Sequence, residues 1–184
     1  MNSGIIASRY AKALLKFVQE NQAGEKVYSQ ACVLMESLDD VPRLRAAVEG
    51  RDDLSPDRRV ELLSLALGEP LAEELVRFMH LLDARRRTDC FSRILAAFVE
   101  QYRSAAGIKV GRVVSARGNE GLKRKVEEIW SRRTGADVRL QEDINPDIIG
   151  GFVLEVDGYR LDASIEGQFR RIRRGLIDDN DRIV

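Results

Sequence analysis

One change of rhythm divides this chain. From residue 5 to about residue 104 the apolar residues recur every three or four positions, and after Gly107 they alternate every second position. The first spacing places a stripe along one side of a helix, and the second places a stripe along one face of a strand, so the two halves need different cores. Six helices are expected near residues 4–20, 24–38, 42–49, 56–67, 70–84 and 89–105. The fourth has the clearest start: Ser55 suits an N-cap, Pro56 the first helical position, and Asp57 the positive end of the helix dipole.

Beyond Gly107, the run Ile108, Val110, Val113 and Val114 reads as a strand, and Val138 with Leu140 as a second. Phe152, Leu154 and Val156 line one face of a third. Asp157-Gly158 is a tight turn into a fourth strand carrying Tyr159, Leu161 and Ala163. Two helices complete this half. One places Leu122, Val126, Ile129 and Trp130 on a stripe; the other opens at Ser164 and aligns Ile165, Phe169, Ile172 and Leu176. The expected fold is therefore mainly α: a six-helix N-terminal bundle over 1–105, then a small α/β domain over 106–184 in the order β-α-β-β-β-α. A sheet domain this small makes a thin core and is expected to lean on another chain.

Composition narrows the function classes. With 44% hydrophobic and 33% charged residues the chain is a globular rather than disordered sequence. Thirty basic residues balance thirty acidic ones, and each half is balanced too, 15 against 16 over 1–105 and 15 against 14 afterwards. A nucleic-acid binder ordinarily shows a basic excess on at least one domain, so no nucleic-acid partner is expected. No apolar run has the length of a membrane span, and no signal-type segment opens the chain, so a cytoplasmic protein is the simplest reading.

Sites for chemistry are missing from the sequence. His80 is the only histidine and is expected at the surface; Cys32 and Cys90 lie far apart without metal-ligand spacing and are expected to be buried thiols. There is no phosphate-binding glycine loop, no dinucleotide fingerprint and no nucleophile elbow. Gly150-Gly151 precedes a strand rather than a helix and reads as a sharp strand entry. The neighbouring carboxylates Asp52-Asp53 and Glu127-Glu128 diverge by about 100° on a helix and do not converge as an acid/base pair. No catalytic residue, metal or cofactor is expected.

Binding faces are better signalled. On the first helix Ile6, Ala13, Phe17, Tyr10, Leu14, Ala7, Val18, Ala11 and Leu15 spread over an arc of about 200°, wider than a surface helix needs. The fifth helix, with Leu71, Ala72, Leu75, Val76, Phe78, Met79 and Leu82, is similarly wide and is interrupted by Asp83. Either both helices are central to the bundle or a groove between them accepts a partner's amphipathic helix. Two arginine runs, Arg85-Arg86-Arg87 and Arg170-Arg171 with Arg173-Arg174, read first as solvated surface and second as contacts for an acidic partner or RNA.

Two stretches resemble a known family. Arg9-Tyr10-Ala11-Lys12-Ala13-Leu14 through Phe17 is similar to the first helix of the delta subunit of bacterial and chloroplast ATP synthases, which is related to the mitochondrial oligomycin-sensitivity-conferring protein. More specific is the run from Ile148 to Leu176, IIGGFVLEVDGYRLDASIEGQFRRIRRGL, which resembles that family's C-terminal signature.

The resemblance implies a non-catalytic stator subunit, peripheral on the cytoplasmic face of the plasma membrane and attached to it only through the complex. It implies that the N-terminal helix of an alpha subunit lies in the groove between the first and fifth helices, with Tyr10, Leu14, Phe17, Leu75, Met79 and Leu82 as candidate lining. It also implies that the C-terminal part holds the peripheral stalk b subunit, with Phe169, Arg170 and Arg173 as candidate contacts. The competing expectation is a helical adaptor that binds RNA or a signalling partner through its arginine clusters.

Overall fold

The computed structural model describes residues 3–50, 54–118, 120–156 and 158–180, with the backbone alone for residue 3 and for 174–180. The chain divides into two compact units, Met1–Ala105 and Ala106–Val184. It is mainly helical, with one small mixed four-strand sheet.

In the first unit the helices are α1 (Ser3–Glu20), α2 (Gly24–Asp40), α3 (Pro42–Glu49), α4 (Pro56–Leu67), α5 (Glu73–Ala84) and α6 (Phe91–Ala106), with a 3-10 turn over Thr88–Cys90. Their core is aliphatic and aromatic: Leu14, Leu34, Leu38, Leu63, Leu75, Met79, Leu82, Phe91, Ile94, Leu95 and Phe98 are all essentially sealed from solvent. α4 starts as its sequence dictates, with the Ser55 hydroxyl accepting the Arg58 N–H at 3.3 Å, and it stops at Gly68, which takes the left-handed conformation (φ 71°).

α5 begins three residues later than its apolar spacing suggests. Leu71 and Ala72 are buried but not helical, because Gln30 of α2 holds this entry. Its side-chain oxygen accepts the Ala72 N–H at 2.8 Å, and its amide nitrogen donates to the Pro70 carbonyl at 3.0 Å and to Glu69 at 2.7 Å. The start of α6 is likewise tightened into the 3-10 turn rather than running as α-helix from residue 89.

The second unit runs β1 (Ile108–Ser115), α7 (Glu120–Thr134), β2 (Asp137–Ile144), β3 (Phe152–Val156), β4 (Tyr159–Asp162) and α8 (Ile165–Asn180). The strand order is β2-β1-β3-β4, with β1 parallel to β2 and antiparallel to β3, and β3 antiparallel to β4. Gly111, Val113 and Ser115 of β1 share a face with Leu140 of β2 and with Phe152, Leu154 and Val156 of β3. Val126 of α7 packs onto this face, flanked by Leu122 and Trp130, and closes a core of Val113, Val126, Val138, Leu140, Leu154 and Val156.

Ile129, expected on the same stripe, is instead exposed: the sheet is narrow and α7 covers it with only one side of its arc. The opposite face of the sheet carries ion pairs between Arg112 and Asp143 and between Glu155 and Arg160. At the β3–β4 turn Gly158 is left-handed (φ 80°), while Asp157 lies outside the described residues, as do Asp52 and Asp53.

Candidate functional site

The structure divides the wide arc of α1 into two faces. Leu14 (1% exposed), Ala7, Ala11 and Val18 form its core side. Ile6, Tyr10 and Phe17 lie half-buried at the other edge of the arc, with Ala13 exposed between them. Tyr10 reaches toward α5, its ring edge-on to Phe78 with centroids 6.4 Å apart. On α5, Leu75, Met79 and Leu82 are sealed in the core.

Of the six residues expected to line a groove between these helices, Leu14, Leu75, Met79 and Leu82 therefore belong to the core, while Tyr10 and Phe17 keep accessible surface. The physical reason is that a helix in a small bundle needs most of its apolar arc for its own neighbours. Ile6 joins Tyr10 and Phe17 on the accessible edge. The breadth of the arc signalled such a face, but not which edge it would be.

Asp83, the break in the apolar arc of α5, has a partner in α4. Arg59 is almost fully buried and donates to Asp83 Oδ1 at 2.7 Å, to the Leu54 carbonyl at 2.6 Å and to the Gly50 carbonyl at 3.2 Å. Another polar brace joins α2 to α6. Arg103 Nε donates to the Tyr28 hydroxyl at 2.9 Å, and the Tyr28 ring stacks on Tyr102 with centroids 4.8 Å apart. Burial pushes the Tyr28 phenol up from its ordinary value, against the pull of the Arg103 hydrogen bond. Cys32 is only half-buried beside this brace, unlike the buried Cys90, whose thiol is pushed up chiefly by burial.

In the second unit exposed apolar side chains lie on several elements, Ile129, Ile144, Ile149, Tyr159 and Leu161 among them, and three more form a stripe along α8. Ile165, Phe169 and Ile172, spaced four and three residues apart, are 38%, 66% and 59% exposed. The arginines flank this stripe. Arg170 lies 3.7 Å from Asp162 and 3.6 Å from Glu166, Arg171 donates to the Asp162 carbonyl at 2.6 Å, and Arg173 is exposed. Leu176 and Arg174, expected on the same helix, lie outside the described side chains.

The start of α8 is fastened at several points. Ser164 is its N-cap, with Oγ accepting the Gly167 N–H at 3.0 Å. Asp162 Oδ1 accepts the Ser164 N–H at 3.0 Å and its hydroxyl at 2.5 Å. These bonds hold the Asp162 carboxyl below the usual aspartate value, assisted by Arg170 and Arg171.

No catalytic arrangement emerges among the described residues, and no group of three or more His, Cys, Asp and Glu could hold a metal. His80 sits at the surface beside Asp57, Nε2 to Oδ1 3.1 Å. The carboxylates Glu127 and Glu128 diverge: Glu127 accepts the Leu140 N–H at 2.8 Å, and Glu128 pairs with Arg132. Arg85, Arg86 and Arg87 are exposed around the C-terminal turn of α5. No described helix is long and apolar enough to cross a membrane.

Comparison with known proteins places this architecture. The family profile of the ATP synthase delta (OSCP) subunit matches residues 6–176. The chain is 32% identical to ATP synthase subunit delta of Phocaeicola vulgatus over 186 aligned positions, covering all of both chains. It is 31% identical to the Parabacteroides distasonis subunit, over 97% of this chain and 99% of that one. Among solved structures, a chain of the Toxoplasma gondii mitochondrial ATP synthase hexamer has the same fold, with a TM-score of 0.58 at 20% identity over 93% of this chain and 97% of the other.

Proposed function

Because the chain belongs to the ATP synthase delta (OSCP) subunit family, we propose that its two units engage different parts of that enzyme. The chain is a non-catalytic stator subunit of an F-type ATP synthase, peripheral to the membrane. Nothing in the family favours the alternative of an RNA-binding or signalling adaptor.

On our reading the first unit is a six-helix bundle that binds the N-terminal helix of an alpha subunit of the catalytic hexamer. Ile6, Tyr10 and Phe17 of α1 touch that helix, while Leu14, Leu75, Met79 and Leu82 support the face from below. The second unit holds the end of the peripheral stalk b subunit through the Ile165–Phe169–Ile172 stripe, with Arg170 and Arg173 meeting acidic residues beside it. The complex anchors the chain at the cytoplasmic face of the plasma membrane. Held at both ends, the hexamer is kept from turning with the rotor, so that rotation driven by ion flow is spent on ATP synthesis.

The observation that carries this reading is the divided arc of α1: one face is consumed by the core, and a second apolar face remains at the surface. A lone exposed apolar residue needs no explanation, but a contiguous helical face does. Calorimetric titration of the chain with a synthetic alpha N-terminal helix tests it. Saturable binding at micromolar concentration, weakened by Phe17→Ala, is expected; no saturable heat at tens of micromolar refutes it.

A further inference from the structure

The junction between β4 and α8 is built without spare room. Gly151 is left-handed (φ 79°), and a Cβ there would lie 2.9 Å from Ser164 Cα and closer still to the Ala163 carbonyl oxygen. A Cβ on Gly150 would meet Ile165 Cδ1 at 2.7 Å. A Cβ on Gly167 would meet the Asp162 carboxylate at 2.5–2.6 Å.

Backbone bonds close over the same spot. The Ala163 N–H donates to the Phe152 carbonyl at 2.9 Å, and the Ile165 N–H to the Gly150 carbonyl at 3.0 Å. The first turn of α8 is thus tied to the entry of β3 on one side and to the Asp162–Ser164 pair on the other. The whole arrangement brings together residues from three stretches of chain; at Gly151 a Cβ would strike main chain, whereas at Gly150 and Gly167 it would displace the ends of the Ile165 and Asp162 side chains.

A helix N-cap alone needs only Ser164. The additional ties do something a cap does not: they fix the direction in which α8 leaves the sheet. Meanwhile Phe169 and Ile172 stay exposed, so of the described stripe only Ile165, seated against Gly150 at this same junction, packs at all. We propose that Gly151, Asp162, Ser164 and Gly167 are positioning residues that hold α8 in one orientation for its partner. The part of this concerning stalk affinity rests on the stalk-binding reading given above. A helix held in its binding orientation avoids the ordering cost that a swivelling one must meet at the moment of binding.

The test uses the full chain with Cys32→Ser, spin-labelled at Gln141→Cys on β2 and Gln168→Cys on α8, both exposed positions. Pulsed dipolar spectroscopy reads the distance distribution within the unit, and calorimetry with the soluble part of the cognate stalk subunit reads affinity. The parent chain should give one narrow distribution. Ser164→Ala and Gly167→Ala should broaden it and weaken stalk binding about tenfold, the scale of an orientation populated a tenth of the time. Ser164→Thr, which keeps the capping hydroxyl, should restore both.

Gly151→Ala is the severer variant, and circular dichroism melts establish whether it folds; the other two do not depend on it. Distributions that stay narrow in Ser164→Ala and Gly167→Ala overturn the proposal, as does broadening without loss of affinity. If the parent chain fails to bind the stalk, the stalk reading falls, and the distances alone still decide whether these residues position α8.

Discussion

Replacing Arg59 by Met should destabilise the helical unit by about 3.5 kcal/mol. The guanidinium is buried, and among the described residues it bonds to the Asp83 carboxylate and to the main-chain carbonyls of Leu54 and Gly50. Removing one member of a fully buried ion pair costs about 3–5 kcal/mol, because the other charge is stranded. Asp83, however, keeps 36% of its side chain exposed and can regain water, which removes much of that cost.

What remains is the loss of the carboxylate bond, about 1.5 kcal/mol, and roughly 1 kcal/mol for each carbonyl deprived of its guanidinium donor. Asp83→Asn, which leaves the carbonyl bonds intact, should cost about 1 kcal/mol. The two substitutions together should cost less than their sum, since they remove the same bond. Urea unfolding followed by far-ultraviolet circular dichroism measures this, with a midpoint shift of about 1.5–2 M expected for Arg59→Met. Trp130, the only tryptophan, lies in the second unit, and its fluorescence transition should stay in place. A midpoint shift below about 0.5 M, or strict additivity in the double variant, would refute the reasoning.

Other outcomes follow from the same geometry. Leu14→Ala should cost about 3–5 kcal/mol by opening a cavity in a sealed site, whereas Phe17→Ala should cost less stability but more affinity for the alpha helix; thermal melts and calorimetry on both variants separate the two effects. Purified chain should show no nucleotide turnover, checked by phosphate release across the chromatographic peak. Lowering the pH should release the hold on α8. Asp162 has its folded-state value below that of the unfolded chain, so its contribution is complete above the unfolded value, near 3.8, and is lost as pH falls through the folded one. The Ser164 amide resonance, followed by NMR, should therefore titrate below the ordinary aspartate range; a midpoint at or above it counts against the Asp162–Ser164 pairing. Membranes reconstituted with a chain lacking residues from 107 onward should hydrolyse ATP yet pump ions poorly, and full coupling would locate the stalk contact elsewhere.

Where the sequence spoke clearly, the signal was local. Ser55, Pro56 and Asp57 mark the start of α4 because capping, the fixed proline angle and the dipole all act within one turn. The alternation of Phe152, Leu154 and Val156 shows one face of β3 because side-chain direction in a strand has period two.

What stayed hidden depended on distant partners. Leu71 and Ala72 fit a helical spacing, yet Gln30, some forty positions earlier, takes the Ala72 N–H and the Pro70 carbonyl on either side of Leu71. Asp83 looks like a flaw in an apolar arc until Arg59 is seen buried against it. The arc of α1 announced a surplus face, but Leu14 and Phe17 are chemically equivalent candidates for either side of it. Only the neighbouring helices decide which one is sealed.

The distribution of accessible apolar surface bears on how a bridge of this kind resists load. On the proposed reading, one binding face belongs to the first helix and the other to the last, each in a unit with its own core. Neither contact has to be exceptional. Two moderate contacts joined by one chain gain in avidity, by about 10² to 10⁴, provided the geometry lets both engage at once. That condition makes stiffness at the attachment points matter as much as contact area, since a helix free to swivel forfeits effective concentration. None of the described apolar side chains of α8 joins the core of the second unit, whose sheet is packed by α7 on one face and carries ion pairs on the other. Direction has to be supplied by covalent shape and short hydrogen bonds instead, and glycines at 151 and 167 permit the required approach. On the proposed reading the stretch works as mechanical chemistry, in which the glycines, Asp162 and Ser164 set the helix and the apolar residues after them make the contact.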